Sequence, residues 1–282
     1  MTRQSLHRYT AFASRPDGGN PAGVWIGEAL PDSDTMQRIA AEVGFSETAF
    51  VAPSTGTDRT VRYYSPDAEV SFCGHATIAA GVILGRNDGA DTYRLTTAVG
   101  EVSVAVRLRE GTWEASLTSV EPKHRAASTN LVAEALSALH WDRADLDETI
   151  PPVCAYGGAW HLVLAVERHE RLADLDYDFE ALKELMLQHE LTTLQLVWKE
   201  SPDLYHSRNP FPVGGVVEDP ATGAAAAAFG GYLRDADLVQ TPKTIVIKQG
   251  QEMGRPSRIV VDIPSTGGIV VTGTAVSLDT PD

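Results

Sequence analysis

Two stretches of this chain consist almost entirely of alanine, glycine and other compact residues, and each follows a glycine turn. The first runs Gly74-His75-Ala76-Thr77 and on through Ile78 to Leu84. The second runs Asp219-Pro220-Ala221-Thr222-Gly223 and on through Ala224-Ala225-Ala226-Ala227-Ala228-Phe229. A helix of such residues buries little apolar area by itself. Its small side chains instead let neighbouring elements approach closely, so each helix is expected to be enclosed, threaded through a curved sheet. Good intrinsic helix propensity alone also accounts for an alanine run. What that leaves unexplained is the context. Ser65-Pro66 and Glu69-Val70 precede the first stretch as Phe211-Pro212 and Val216-Val217-Glu218 precede the second. A duplicated half-domain explains the echo.

The segments between carry mostly strand patterns. Tyr9 to Phe12 and Val24 to Ile26 flank a loop of glycine, proline and asparagine, and Ser46 to Val51 and Val61 to Tyr64 read as further strands. Met36, Ile39, Ala40 and Val43 have helical spacing, with Asp32 or Ser33 as cap and Gly44 as terminator. Arg94 to Thr97, Val102 to Val106 and Thr112 to Leu117 continue the β pattern. The composition shifts at Glu121 to Asn130, which places a boundary there: 1–120 for one half and 121–282 for the other, with the C-terminal strand able to return to the first. In the second half, Leu131 to Leu139 and Phe179 to His189 read as helices. His161 to Val166, Leu194 to Trp198, Ile245 to Ile247, Ile259 to Ile263 and Ile269 to Gly273 read as strands. Many strands with few long helices give an α+β class.

The first N–H groups of a helix lack intrahelical partners and carry partial positive charge. Glycine turns let a ligand approach that backbone, so two such helix starts form a site for a small carboxylic acid. This matters because the net charge is −15. An acidic surface repels phosphate backbones, which excludes nucleic acid as the expected partner. No apolar run approaches a membrane span, and the start of the sequence has no apolar signal region, so a cytoplasmic location is expected. The two cysteines, Cys73 and Cys154, form no zinc-type spacing with the eight histidines, and no metal is expected. Nucleotide fingerprints and a hydrolase elbow are also missing.

Five ordered motifs resemble the phenazine-biosynthesis isomerase (PhzF-like) family, within the diaminopimelate-epimerase-like fold. They are Gly19-Asn20-Pro21-Ala22-Gly23-Val24, Ser46-Glu47-Thr48-Ala49-Phe50-Val51, Cys73-Gly74-His75-Ala76-Thr77, Glu218-Asp219-Pro220-Ala221-Thr222-Gly223, and Gln249-Gly250 with Met253-Gly254-Arg255-Pro256-Ser257. The resemblance implies two pseudo-symmetric half-domains, each a curved mixed sheet or barrel around a central helix, with the site in the cleft between them. It implies a homodimer without cofactor or metal. The reaction implied is a proton transfer within a small unsaturated or cyclic carboxylic acid, similar to that of trans-2,3-dihydro-3-hydroxyanthranilate isomerase.

On that resemblance Glu47 is the general base and acid, with His75 and Asp219 as further catalytic residues. Ser46, Gly74, Thr222, Gly223, Ala224 and Asn20 are the substrate-binding set. Each has a plainer reading: Glu47 as a surface carboxylate at a strand start, His75 as a packing residue, and Asp219 as a helix N-cap followed by Pro220. Ala224 stands where the phenazine enzyme has a serine, so the phenazine precursor is in doubt as substrate. Two alternatives are an amino- or hydroxy-acid epimerase using Glu47 with Cys73, and a small-acid-binding protein without turnover. The second motif carries no cysteine, which argues against a thiol pair and makes Cys73 a small buried residue.

Overall fold

The computed structural model describes residues 5–279. In chain order its first elements are β1 (Ser5–Ala11), β2 (Asn20–Ile26), α1 (Ser33–Val43), β3 (Thr48–Pro53), β4 (Asp58–Tyr64) and β5 (Glu69–Val70). Then come α2 (Gly74–Asp88), β6 (Asp91–Thr97), β7 (Gly100–Arg109), β8 (Thr112–Thr118), β9 (Lys123–Ala126), α3 (Thr129–Ala138), β10 (Val153–Tyr156) and β11 (Trp160–Val166). The remainder is α4 (His169–Ala173), α5 (Phe179–Gln188), β12 (Thr193–Ser201), β13 (Leu204–Arg208), α6 (Gly223–Asp235), β14 (Lys243–Gln249), β15 (Ser257–Ile263) and β16 (Val270–Ser277). The chain divides into two compact units. One reaches Thr118 and takes in the chain from Thr272 onward, and the other is Ser119–Val271.

In the first unit the strands run β1-β2-β3-β4-β6-β7-β8-β16, and β16 pairs with β1 to close a barrel of mixed strand direction. Helix α2 fills it, packing against β1, β2, β3, β7 and β8. Eleven consecutive α2 residues, His75 to Gly85, are buried, so this helix has no polar face. Small residues make that fit. A Cβ on Gly81 would stand 2.9 Å from Val104 and Ala115, and one on Gly85 would stand 2.5 Å from Val106. Helix α1 is different: it is amphipathic and buries Met36, Ala40 and Val43. Met36 and Ala40 share a cluster with Trp25, Phe50 and Tyr64. The Asp32 side chain caps α1, and Gly44, in the left-handed region, ends it.

The second unit has the sheet order β15-β14-β13-β12-β11-β10-β9. Helix α6 packs against β9, β10, β11, β12 and β15, with nine consecutive residues from Ala225 to Leu233 buried. Leu162, Leu164 and Val166 of β11, with Leu194 and Leu196 of β12, join an apolar cluster with α3, α4 and α5 residues such as Leu131, Leu172 and Met186. The alternate residues of these strands are buried too. Burial on both faces makes β11 a continuous apolar run. The α+β class and the small-residue helix plan are thus present in both units.

Three local expectations change. Ser46 and Glu47 lie in the turn before β3, not within the strand. Helix α6 begins at Gly223 with Thr222 at its cap position, so Asp219 is not the cap and Pro220 is not its first residue. Strands β9, β10 and β13 are unannounced in the sequence. β9 is fully exposed, so no apolar alternation marks it. No helix among the described residues is long and apolar enough to cross a membrane.

Candidate active site

Glu47 is held by backbone before its side chain does anything. The Gly23 N–H donates to the Glu47 carbonyl at 3.1 Å, and Gly23 pairs in register with Thr48. A Cβ at Gly23 would sit 2.5 Å from the Thr48 hydroxyl. The glycine in the first motif therefore lets β2 approach the residues around Glu47. Asn20 stands at the buried start of the same strand.

The start of α2 is pinned from below. Thr77 Oγ1 donates to the Cys73 carbonyl at 2.6 Å and also meets the Tyr63 hydroxyl at 2.6 Å. Burial pushes the Tyr63 phenol up, so it acts as a neutral hydroxyl. No side chain caps the first turn of α2. A Cβ added at Gly74 would meet nothing within 4 Å. Packing inside the protein does not require glycine there, which leaves bare backbone at a helix N-terminus for a visiting group.

Four side chains meet at this point. His75 Nε2 lies 3.4 Å from Glu47 Oε2 and 3.4 Å from Ser46 Oγ. The Cys73 thiol donates to Glu47 Oε2 at 3.5 Å, and its sulfur lies 3.4 Å from His75 Nδ1. The Glu47 side chain is 21% exposed and that of His75 9%. Both are accessible and partly desolvated, which strengthens their electrostatic coupling. Structure thus brings together Ser46, Glu47 and His75. It adds Cys73, which the sequence reading set aside as packing. Glu47 lies 26 residues from Cys73, so sequence spacing gives no sign of the grouping.

The second motif is organised around Gln249. Its amide donates to the Asp219 carbonyl at 2.7 Å and to Thr222 Oγ1 at 3.0 Å, while its oxygen accepts from the Thr222 N–H at 3.1 Å. Thr222 Oγ1 in turn donates to Asp219 Oδ2 at 2.5 Å. The loop entering Asp219 is stapled by a buried bidentate pair, Arg208 Nε and Nη2 to Glu218 Oε1 and Oε2 at 3.0 and 2.7 Å. The Asp219 N–H donates to the Asn209 carbonyl at 3.0 Å. Gly250 has a φ of +73°, and a Cβ there would stand 2.4 Å from the Arg255 carbonyl and 2.8 Å from that of Pro220. This explains the Gln249-Gly250 motif: the glycine allows the close turn that places Gln249. Gly223 and Ala224 follow as the first two residues of α6. Gln249 appeared in a motif, but nothing in the sequence assigned it this clamp.

Behind the clamp runs a buried polar row. Ser207 on β13 pairs with Gln249. His161 Nδ1 meets Thr193 Oγ1 at 2.8 Å, and the Asn209 amide donates to Thr193 and Gln195 at 3.1 and 2.8 Å. Burial lowers the His161 imidazole to about 3, so it is neutral at physiological pH. Cys154 is remote from this chemistry. It lies in the apolar cluster of its unit, where burial pushes its thiol up.

The sequence profile of the phenazine biosynthesis-like protein family (PhzC-PhzF) matches residues 9–280. The chain belongs to this family. An uncharacterized isomerase of Bacillus subtilis, YfhB, is 30% identical over 99% of this chain and 98% of its own length. The trans-2,3-dihydro-3-hydroxyanthranilate isomerase of Pseudomonas fluorescens is 31% identical over 89% of this chain and 88% of its own. A PhzF-family structure from Bacillus anthracis superposes with a TM-score of 0.85 at 24% identity, covering 99% of this chain and 98% of that one. The fold extends to a probable proline racemase of Agrobacterium radiobacter, with a TM-score of 0.65 at 13% identity over 99% and 93% of the two chains. The protein is therefore an isomerase of the PhzF-like family.

Proposed function

We propose that this PhzF-like isomerase moves a proton within a small unsaturated or cyclic carboxylic acid, with Glu47 as the general base and acid and without a cofactor. The substrate carboxylate is held by backbone N–H groups at glycine-led helix starts, Gly74 on α2 and Gly223 on α6. Ser46, Asn20, Thr222 and Ala224 complete the binding set. Glu47 removes a proton from a carbon adjacent to the conjugated system. The electron pair delocalises toward the acid group, where helix N-termini and His75 stabilise the developing charge. The same Glu47 carboxyl then returns the proton to another carbon on the same side. Asp219 orients the substrate or relays the proton. The protein is expected to act as a homodimer.

The observation that carries this reading is the direct contact of Cys73 with Glu47, 3.5 Å from sulfur to oxygen. Epimerisation needs an acid and a base on opposite faces of one carbon. With reacting atoms about 3 Å from that carbon on each side, the two groups stand roughly 6 Å apart. A thiol touching the carboxylate approaches from the same face, which suits one-sided transfer and disfavours a Glu47–Cys73 epimerase.

The test is solvent exchange. Candidate cyclic and unsaturated acids are incubated with the enzyme in deuterium oxide. Deuterium at a second carbon supports isomerisation, and deuterium with inversion at a single carbon supports epimerisation. An acid that binds but exchanges nowhere overturns both.

A further inference from the structure

Asn209 stands at the root of the loop that returns to Asp219, and its hydrogen bonds run in two directions. Its side-chain amide donates backward to Thr193 Oγ1 at 3.1 Å and to Gln195 Oε1 at 2.8 Å, both on β12. Its main-chain carbonyl accepts forward from the Asp219 N–H at 3.0 Å. The next residue reinforces this. Proline at position 210 biases Asn209 toward extended backbone, and the Pro210 carbonyl accepts from the Leu194 N–H at 3.3 Å. Asn209 is thus laced to β12 through its side chain and through the peptide that follows it. That lacing fixes the direction of its carbonyl.

Packing alone does not call for asparagine. The residue is fully buried, and its Oδ1 has no hydrogen-bond partner among the described residues. An unpaired buried acceptor costs stability, and an apolar side chain of similar size would fill the space without that cost. What the apolar side chain lacks is a pair of donors that hold the backbone in one rotation. The Arg208–Glu218 ion pair beside it closes the same loop, and so fixes where the chain returns. Asn209 fixes how Asp219 is turned. It holds the Asp219 peptide from behind, while Thr222 Oγ1 holds the carboxylate at 2.5 Å.

We propose that Asn209 is a positioning residue for Asp219: its carbonyl sets the rotation of the Asp219 backbone and keeps the carboxylate on Thr222 beside the start of α6. Thr193 and Gln195 act through Asn209. The tether stands on its own geometry, while its effect on turnover rests on the reading that Asp219 takes part in the reaction.

The experiment follows amide hydrogen exchange in the whole protein by NMR and needs no substrate. In Asn209→Ala the protection of the Asp219 N–H, relative to the amides of β11, should fall about tenfold or more. Gln195→Ala should give a smaller loss, and the double variant no more than Asn209→Ala alone, because the two residues act in series. Thr193→Val removes the other leg and, with Gln195→Ala, keeps the test open should Asn209→Ala fail to fold. Leu164→Ala, in the apolar cluster on the opposite face of β11, lowers protection evenly and leaves that ratio in place. A second arm measures deuterium exchange into the acid that labels fastest with the unaltered enzyme. There kcat should fall about tenfold or more in Asn209→Ala, with KM within about threefold, since the backbone at Gly223 is untouched. The proposal is overturned if the relative protection of Asp219 is unchanged in Asn209→Ala, if the single losses add in the double variant, or if KM rises while kcat holds. Lost protection with undiminished turnover, in Asn209→Ala and Asp219→Asn alike, supports the tether and overturns the part given to Asp219 in the reaction.

Discussion

The starts of α2 and α6 use the same small-residue plan and end in different chemistry. Beside α2 stand Glu47, Cys73 and His75, three side chains that can each gain or lose a proton, joined by contacts of 3.4 to 3.5 Å. Beside α6, an amide and a hydroxyl, Gln249 and Thr222, tie down the Asp219 backbone and carboxylate. One end is loosely coupled and titratable, while the other is a hydrogen-bonded clamp resting on a neutral polar row. The lesson is that one small-residue helix plan can carry two kinds of surroundings: titratable side chains gather at one helix start, and a hydrogen-bonded clamp forms at the other.

The sharpest way to break that comparison is at Glu47. Glu47→Gln keeps the shape and removes the base, so deuterium exchange should fall by about 10³-fold with the thermal midpoint little changed. An equal loss from Gln249→Ala would show that the two ends share the chemistry. The glycines offer a paired test. Gly74→Ala has open space around its new methyl, so stability should hold while KM rises about tenfold. Gly250→Ala puts a methyl 2.4 Å from a carbonyl at positive φ and should destabilise by about 1–3 kcal/mol. A stable Gly250→Ala or an unfolded Gly74→Ala would reverse the assignment of packing and binding roles.

Smaller effects test the clamp. Gln249→Ala severs three hydrogen bonds and should cost about 1–3 kcal/mol in urea unfolding, raising KM more than it lowers kcat. His161 tests the row behind it. The unfolded imidazole titrates near its ordinary 6.5 and the buried one at about 3. Between those values the unfolded chain binds the extra proton. The contribution of His161 is therefore complete above 6.5 and lost as pH falls toward 3. Lowering the pH from about 7.5 to about 5.5 should remove about 1 kcal/mol, and His161→Gln should flatten that part of the profile. An unchanged slope in the variant would place the acid sensitivity elsewhere.

What was readable in the sequence follows the physics of each segment. The enclosure of α2 and α6 was legible because a helix without a polar face has few other homes. The caps of α1 were legible because Asp32 and Gly44 act locally. β9 was hidden because its residues are exposed and carry no alternation. β13 was hidden because its polar residues His206, Ser207 and Arg208 are buried, whereas such residue types ordinarily mark an exposed segment. In the site, glycines and charged motif residues were visible by type. Cys73 entered only through the epimerase alternative and Gln249 not at all as a site residue, because their contacts with Glu47 and Thr222 span 26 and 27 residues that no local spacing encodes.

The barrel around α2 has one further consequence, which concerns its manufacture. β16 is the stave between β8 and β1, yet it is translated after the entire stretch Ser119–Val271. At ordinary elongation rates the earlier strands leave the ribosome and wait on the order of ten seconds for the piece that joins their two open edges. The contiguous unit has all its own strands before that moment. The first half of the gene is thus the last to finish folding. Those two waiting edges are where a chaperone, or a neighbouring nascent chain, would make first contact.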